Sequence, residues 1–266
     1  MATQNAPRTA RERARAELTR EIKEEARRQL ATDGANGLSL RAVSRELGMV
    51  SSALYRYYPS RDDLLTALII DAYNALGEAA EQAIAGTGTG RIRWVAACHA
   101  IRTWAVAHPH EYALIYGSPV PGYRAPEATI GPAARVPLAF AGVLAVAVAV
   151  GEVTAERILA AGAGPAGEQG RPGLGGPLAD QAAALSAALA RDAAVGEATG
   201  AGAAGRAVPL APEVPADVLV RAVIAWTQLF GMISFELFGQ FVGSFEPADA
   251  LFDHGVDQLA AFVGLR

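Results

Sequence analysis

Between residues 9 and 84 the apolar side chains recur every three or four positions, and the pattern is cut at Gly34 and Gly37, at Gly48 and at Pro59. That spacing lines up one apolar stripe on a helix, and a strand, whose period is two, cannot reproduce it. Thr9 and Glu12 stand at capping-box spacing ahead of Leu18, Ile22, Ala26 and Leu30, so a first helix runs to the glycines. Ser39 is placed to cap a second, short helix carrying Leu40, Val43 and Leu47. Gly48 stops it, because glycine takes a positive φ without strain. A third helix spans 51–58 and ends at Pro59, which pushes the preceding residue out of the α region. Ser60 and Asp63 make another capping box, from which Leu64, Leu65, Leu68 and Ala72 carry a fourth helix to Ile84.

Nothing beyond residue 84 alternates with strand period. Segments 92–107, 109–116, 136–159, 216–241 and 247–263 read as helices, and 162–177 and 196–215 are Gly, Ala and Pro mixtures too poor in apolar surface to offset chain entropy. The expected fold is all-α. With 52% apolar and 19% charged residues there is ample material for a core. A basic flexible arm is expected over 1–14, a compact head over 15–75, and a larger helical body over 86–266 with two loose segments. The longest uncharged run, 136–151, falls short of a bilayer's thickness. The arginines near the N-terminus precede no apolar run of the kind a secretory signal carries. A cytoplasmic protein without membrane contact is expected. Cys98, the single cysteine, fits a reducing compartment.

Charge is unevenly placed. Residues 1–62 hold 12 basic and 8 acidic side chains, and 63–266 hold 11 basic and 19 acidic. A basic head on an acidic body suits a chain that meets nucleic acid at one end. Two short helices joined by a three-residue turn at Gly48 make a helix-turn-helix, whose second helix enters the DNA major groove. With Leu54 facing inward and about 100° per residue, Ser52, Tyr55 and Arg56 face outward together. Serine, tyrosine and arginine can contact base edges or phosphates. A packed helical hairpin with a solvated polar face satisfies the same spacing.

The run LSLRAVSRELGMVSSALYRYYPSRDDLL, with Gly34 before it, resembles the N-terminal domain of the tetracycline-repressor family of bacterial regulators. The shared positions include Val43, Leu47, Gly48, Leu54, Tyr55, Tyr57, Tyr58, Ser60, Arg61 and Leu64. The resemblance implies a three-helix DNA-binding domain joined by a fourth helix to a helical ligand-binding and dimerisation domain. It implies that Ser51, Ser52 and Tyr55 read bases, that Arg41 reaches a base or phosphate, and that Ser39, Tyr57 and Arg61 hold phosphates, with Arg56 beside them. Ser44 replaces the usual alanine, and Val50 replaces a capping serine, which would leave Ser51 to cap. In the body, HPHEYALIYGSPVPGY and WTQLFGMISFELFGQF resemble a subgroup of that family named for a Trp-His-Gly motif, with Phe230 where the histidine stands.

Other chemistry is thinly supported. Cys98 and His99 are helix neighbours and point about 100° apart, a poor nucleophile–base pair. His108 and His110 lack further ligands at metal-binding spacing, and no phosphate loop, nucleophile elbow or dinucleotide fingerprint occurs. No cofactor is expected. Trp94, Trp104, Tyr112, Tyr116, Trp226 and Phe230 could line an apolar pocket or simply pack a core. Of these, Trp104, Tyr116, Trp226 and Phe230 are the candidate ligand contacts, and Phe230 argues for an apolar or aromatic effector. The expected function is a homodimeric repressor, not an enzyme, that binds palindromic double-stranded DNA and is released by a small molecule. The fourth helix is the expected link between body and head. An enzyme or a protein-interaction module carrying an appended DNA-binding head is the alternative.

Overall fold

The computed structural model describes residues 9–153, 176–185, 187 and 214–265, and among them there is helix and no strand. The chain divides into two compact units, the first built from residues up to 73 together with 108–132, the second from 74–107 and the described residues from 133 onward. The division falls inside two helices, between Tyr73 and Asn74 and between Pro132 and Ala133. Part of the expected arm, 1–8, and most of the two expected loose segments, 162–175 and 196–213, lie outside the described residues.

In the first unit, α1 (Ala10–Gly37) opens on Thr9, whose hydroxyl accepts from the Glu12 amide while the Glu12 carboxylate accepts from the Thr9 amide. Residues 10–14 therefore belong to this helix, where a flexible arm had been expected. Gly34 adopts φ 68° and interrupts the helix near its end. Helix α2 (Leu40–Glu46) is capped by Ser39, whose Oγ accepts from the Ala42 amide, and Gly48 makes the turn at φ 64°. Helix α3 is Ser51–Leu54, far shorter than the expected 51–58. Past Leu54 the amides of Arg56 and Tyr57 bond three residues back, to Ala53 and Leu54, so Tyr55, Arg56 and Tyr57 form a tight turn. Helix α4 (Arg61–Ile84) starts behind Ser60, whose Oγ accepts from the Asp63 amide.

Ile22, Ala26, Leu30, Val43, Leu54, Leu64, Leu65 and Leu68 form the core of this unit, with Leu54 fully enclosed. Around it Asp71 accepts from both Lys23 and Arg27 at 2.8 and 2.9 Å, and Arg27 also meets Glu111 on α6 (Pro109–Tyr116). These half-buried pairs fix α1 against α4 and α6. Exposed helical pairs such as Arg20 with Glu17 add little, because solvent screens them.

In the second unit, α5 (Gly90–Ala107) lies against two later helices, α8 (Ala216–Leu237) and α9 (Asp249–Phe262). Arg102 holds both, donating to Glu236 at 2.8 Å and to Asp249 at 3.0 Å. Helix α7 (Ile130–Ala149) starts six residues earlier than the expected 136 and stops ten before 159. Pro137 sits inside the helix. The earlier turns are held by Arg135, which donates to Glu81 and to the Asn74 carbonyl on the rear half of α4. The end is set by Gly151 at φ 75°, with the Glu152 amide bonding back to Ala147. Helices over 127–149 and 216–237 are long and apolar enough to cross a membrane, unlike the 16-residue run read from sequence, and both are partly buried in this unit.

Candidate nucleic-acid interface and effector site

The second helix of the helix-turn-helix is positioned by one residue. Leu54 is completely buried, and on a helix that turns about 100° per residue its burial drives Ser52, Tyr55 and Arg56 to the outside. All three are exposed, as is Arg41 on α2, so the expected base-reading side chains share the free surface of the head. Tyr55 is 43% exposed, an unusual state for a large aromatic ring that no partner covers.

Ser51 does not cap. Val50 occupies the cap position without a side-chain bond, and the Ser51 hydroxyl shares a 3.1 Å hydrogen bond with Ser44, which also donates to the Arg41 carbonyl at 2.9 Å. Ser44 is 2% exposed. The two hydroxyls thus tie α3 to α2 across the turn. The departure from the usual alanine at position 44 was the signal for this tie.

The expected phosphate holders also make contacts within the head. Ser39 Oγ accepts from the Ala42 amide at the α2 cap, which leaves its O–H able to donate. Tyr57 is half-buried, with the Arg15 guanidinium 5.4 Å from its ring centroid. Arg61 donates through Nε to the Leu38 carbonyl at 3.1 Å, through Nη2 to the Ala35 carbonyl at 2.6 Å, and through Nη1 to Asp62 at 3.3 Å. Its charge closes the end of α1 onto the start of α2. Sequence spacing could not reveal this, because the acceptors are backbone carbonyls 23 and 26 residues away.

The four expected ligand contacts divide between the two units. Trp104, Trp226 and Phe230 belong to the second unit and Tyr116 to the first. Trp226 and Phe230 do meet, with ring centroids 5.5 Å apart, as their i, i+4 spacing requires. Tyr116 packs against Tyr73 and Tyr112, and burial pushes its phenol well above the usual range. Within the first unit a cleft of about 250 Å³ opens between the end of α1 and α6, lined by Leu30, Asp33, Asn36, His110, Leu114 and Val120. None of the four aromatic candidates lines it.

Cys98 is buried and its thiol is pushed up by desolvation, while its neighbour His99 faces Asp253 at 3.6 Å and the Phe252 ring. The two do not act on each other. Among the described residues no group of three or more His, Cys, Asp and Glu is placed to hold a metal ion.

Comparison with known proteins agrees with this geometry. The family described as bacterial regulatory proteins, tetR family, matches residues 22–68, and the family described as tetracyclin repressor-like, C-terminal domain, matches 94–259. The HTH-type transcriptional regulator Rv1816 of Mycobacterium tuberculosis is 48% identical over 145 residues, 53% of this chain and 61% of that protein, so the matched region spans less than two thirds of this relative. The crystal structure of regulatory protein SCO4313 superposes with TM-score 0.64 at 32% identity, covering 94% of this chain and 98% of that one. A protein with unknown function from Rhodococcus sp. RHA1 shares the fold, with TM-score 0.60 at 20% identity over 97% of both chains. The head match falls on the helix-turn-helix with its outward polar face, and the body match on the helices that follow it. The chain belongs to the tetracycline-repressor family.

Proposed function

We propose that the protein is a transcriptional regulator that binds palindromic operator DNA as a homodimer and leaves it when a small molecule occupies the body. The observation that carries this reading is the surface made by Ser52, Tyr55, Arg56 and Arg41, exposed together above the buried Leu54. One tight turn reads few bases, so two heads a groove repeat apart are needed for a useful site. The second copy is suggested by α8, which exposes Val223, Ile224 and Phe235, followed by Phe238, Val242 and Phe245. The exposed positions of α9 are Asp249, Ala250, Asp253, His254, Asp257 and Gln258, mostly polar, so the apolar contact centres on α8 and the segment after it. A DNA partner implies a cytoplasmic location and gene control in place of catalysis.

Release requires an effector that binds the DNA-incompetent arrangement better than the competent one, because equal affinity shifts nothing. Helices α4 and α7 both run unbroken through the division between the units, so a change in the body has two helical routes to the head. Selection of bound DNA from a random pool by the full chain tests the reading. A two-fold symmetric sequence should emerge, and a pool that enriches no sequence overturns it.

A further inference from the structure

The cleft in the first unit has a floor and a rim of different chemistry. Leu30, Leu114 and Val120 make the floor, and all three belong to the core of the head or pack against it. The rim carries Asp33, Asn36, His110 and Ser118, which are exposed. Each of these side chains can accept a hydrogen bond. None of the four makes a hydrogen bond or an ion pair with another described residue.

The charge at the rim has one sign. Asp33 is the carboxylate of the lining, and no lysine or arginine lines the cleft. A helical carboxylate finds its cation three or four residues away, and those positions around Asp33 hold Gln29, Leu30, Asn36 and Gly37. The arginines nearest in the first unit are committed elsewhere: Arg27 to Asp71 and Glu111, Arg28 to Glu25, and Arg61 to the Ala35 and Leu38 carbonyls and Asp62. The backbone adds to the same sign. Gly34, at φ 68°, interrupts α1 directly after Asp33, so the C-terminal end of the long run of that helix borders the cleft, and a helix C-terminus carries partial negative charge. The space over Gly34 is open, since a Cβ built there would meet no atom within 4 Å.

A carboxylate, a helix C-terminus and neutral acceptors above an apolar floor select a positively charged donor on a hydrocarbon body. The volume of about 250 Å³ equals roughly eight water volumes, which sets the size of the occupant at about eight or nine non-hydrogen atoms. We propose that this cleft binds a small organic ammonium ion, its charged group held at the rim by Asp33 with Asn36 and Ser118, and its hydrocarbon laid on Leu30, Leu114 and Val120 beside the His110 ring. The site is separate from any effector of the second unit and requires no operator. It also bears on the head, because Ala35, which lines the cleft, gives its carbonyl to Arg61 on the path from α1 into α2.

The probes are two matched pairs, phenethylammonium with phenethyl alcohol and hexylammonium with hexanol, added to the full chain at fixed pH and low salt. The imidazole signals of the four histidines are assigned by replacement, His110→Gln among them. At least one ammonium should move the His110 signal and bind about fivefold tighter than its alcohol, the upper end of what an exposed ion pair supplies. That preference should shrink as salt rises. Asp33→Asn, at an exposed position whose side chain holds no partner, should abolish the preference and leave alcohol binding unchanged. Should that variant fail to fold, the His110 shift and the salt dependence of the unchanged chain decide. A His110 signal that neither ammonium moves, equal affinity for ammonium and alcohol, or a preference that persists in folded Asp33→Asn would each overturn the proposal.

Discussion

Tyr55 and Arg61 stand six residues apart, yet the physics around them differs completely. The Tyr55 side chain is 43% exposed, so its replacement should cost little stability and show chiefly in base preference. Tyr55→Ala, and Ser52→Ala with it, are expected to relax the preference at particular operator positions by about 1 to 3 kcal/mol each. An unchanged selected sequence for Tyr55→Ala would remove it from base readout. Arg61 came from the family resemblance as a phosphate contact, but its guanidinium is already engaged by two backbone carbonyls and Asp62. Arg61→Lys separates the two roles, since lysine keeps the charge and loses the planar fork. A positioning role predicts that lysine fails to restore operator affinity and lowers the melting temperature of the head. A phosphate role predicts near-normal affinity and an unchanged salt slope.

At the level of elements, the sequence was most legible where caps and glycines punctuate it. Thr9 with Glu12, Ser39, Gly48 and Ser60 with Asp63 each did in the fold what their spacing implied. It was least legible where a boundary depends on what covers the helix. Helix α3 was read through to Pro59 because periodicity counts apolar residues, whereas only Leu54 is anchored from below and the rest tightens into a turn. Helix α7 reads from the sequence as starting at 136, and its start at Ile130 depends on an arginine reaching across to α4. The Ser44–Ser51 tie depends on a distance between elements, which spacing along one element does not contain. Tyrosines give the first unit a pH signature. Burial pushes the Tyr58 phenol from 10.0 to about 12 and raises Tyr73 as well. A raised folded-state value means this stability is whole below pH 10 and declines as pH climbs through 12. Chemical denaturation at rising pH should show the decline, with the Tyr58 and Tyr73 phenols ionising as the head unfolds.

For the whole molecule, the proposed second copy would meet the apolar side of α8. Phe235 near the end of α8 and Val242 in the segment after it, 52% and 69% exposed, are poor neighbours for water. Changing both to Ser is expected to shift the sedimenting species toward monomer at micromolar concentration and to weaken operator binding by the loss of the second head. A double variant that remains a dimer would place the contact elsewhere.

A reading helix of one hydrogen-bonded turn has no independent existence, since so short a helix is far below what chain stiffness and cooperativity sustain in water. The surface presented to DNA is therefore borrowed from the interior beneath it, and recognition and folding of the head are a single equilibrium viewed from two sides. Operator should raise the melting temperature of the head in proportion to its occupancy. Leu54→Ala, which removes about 2 to 5 kcal/mol of packing without touching a base, should bind operator normally in the cold and lose it on warming, well before the body melts. In such a protein a silent interior substitution and a lost contact to DNA are told apart only by temperature.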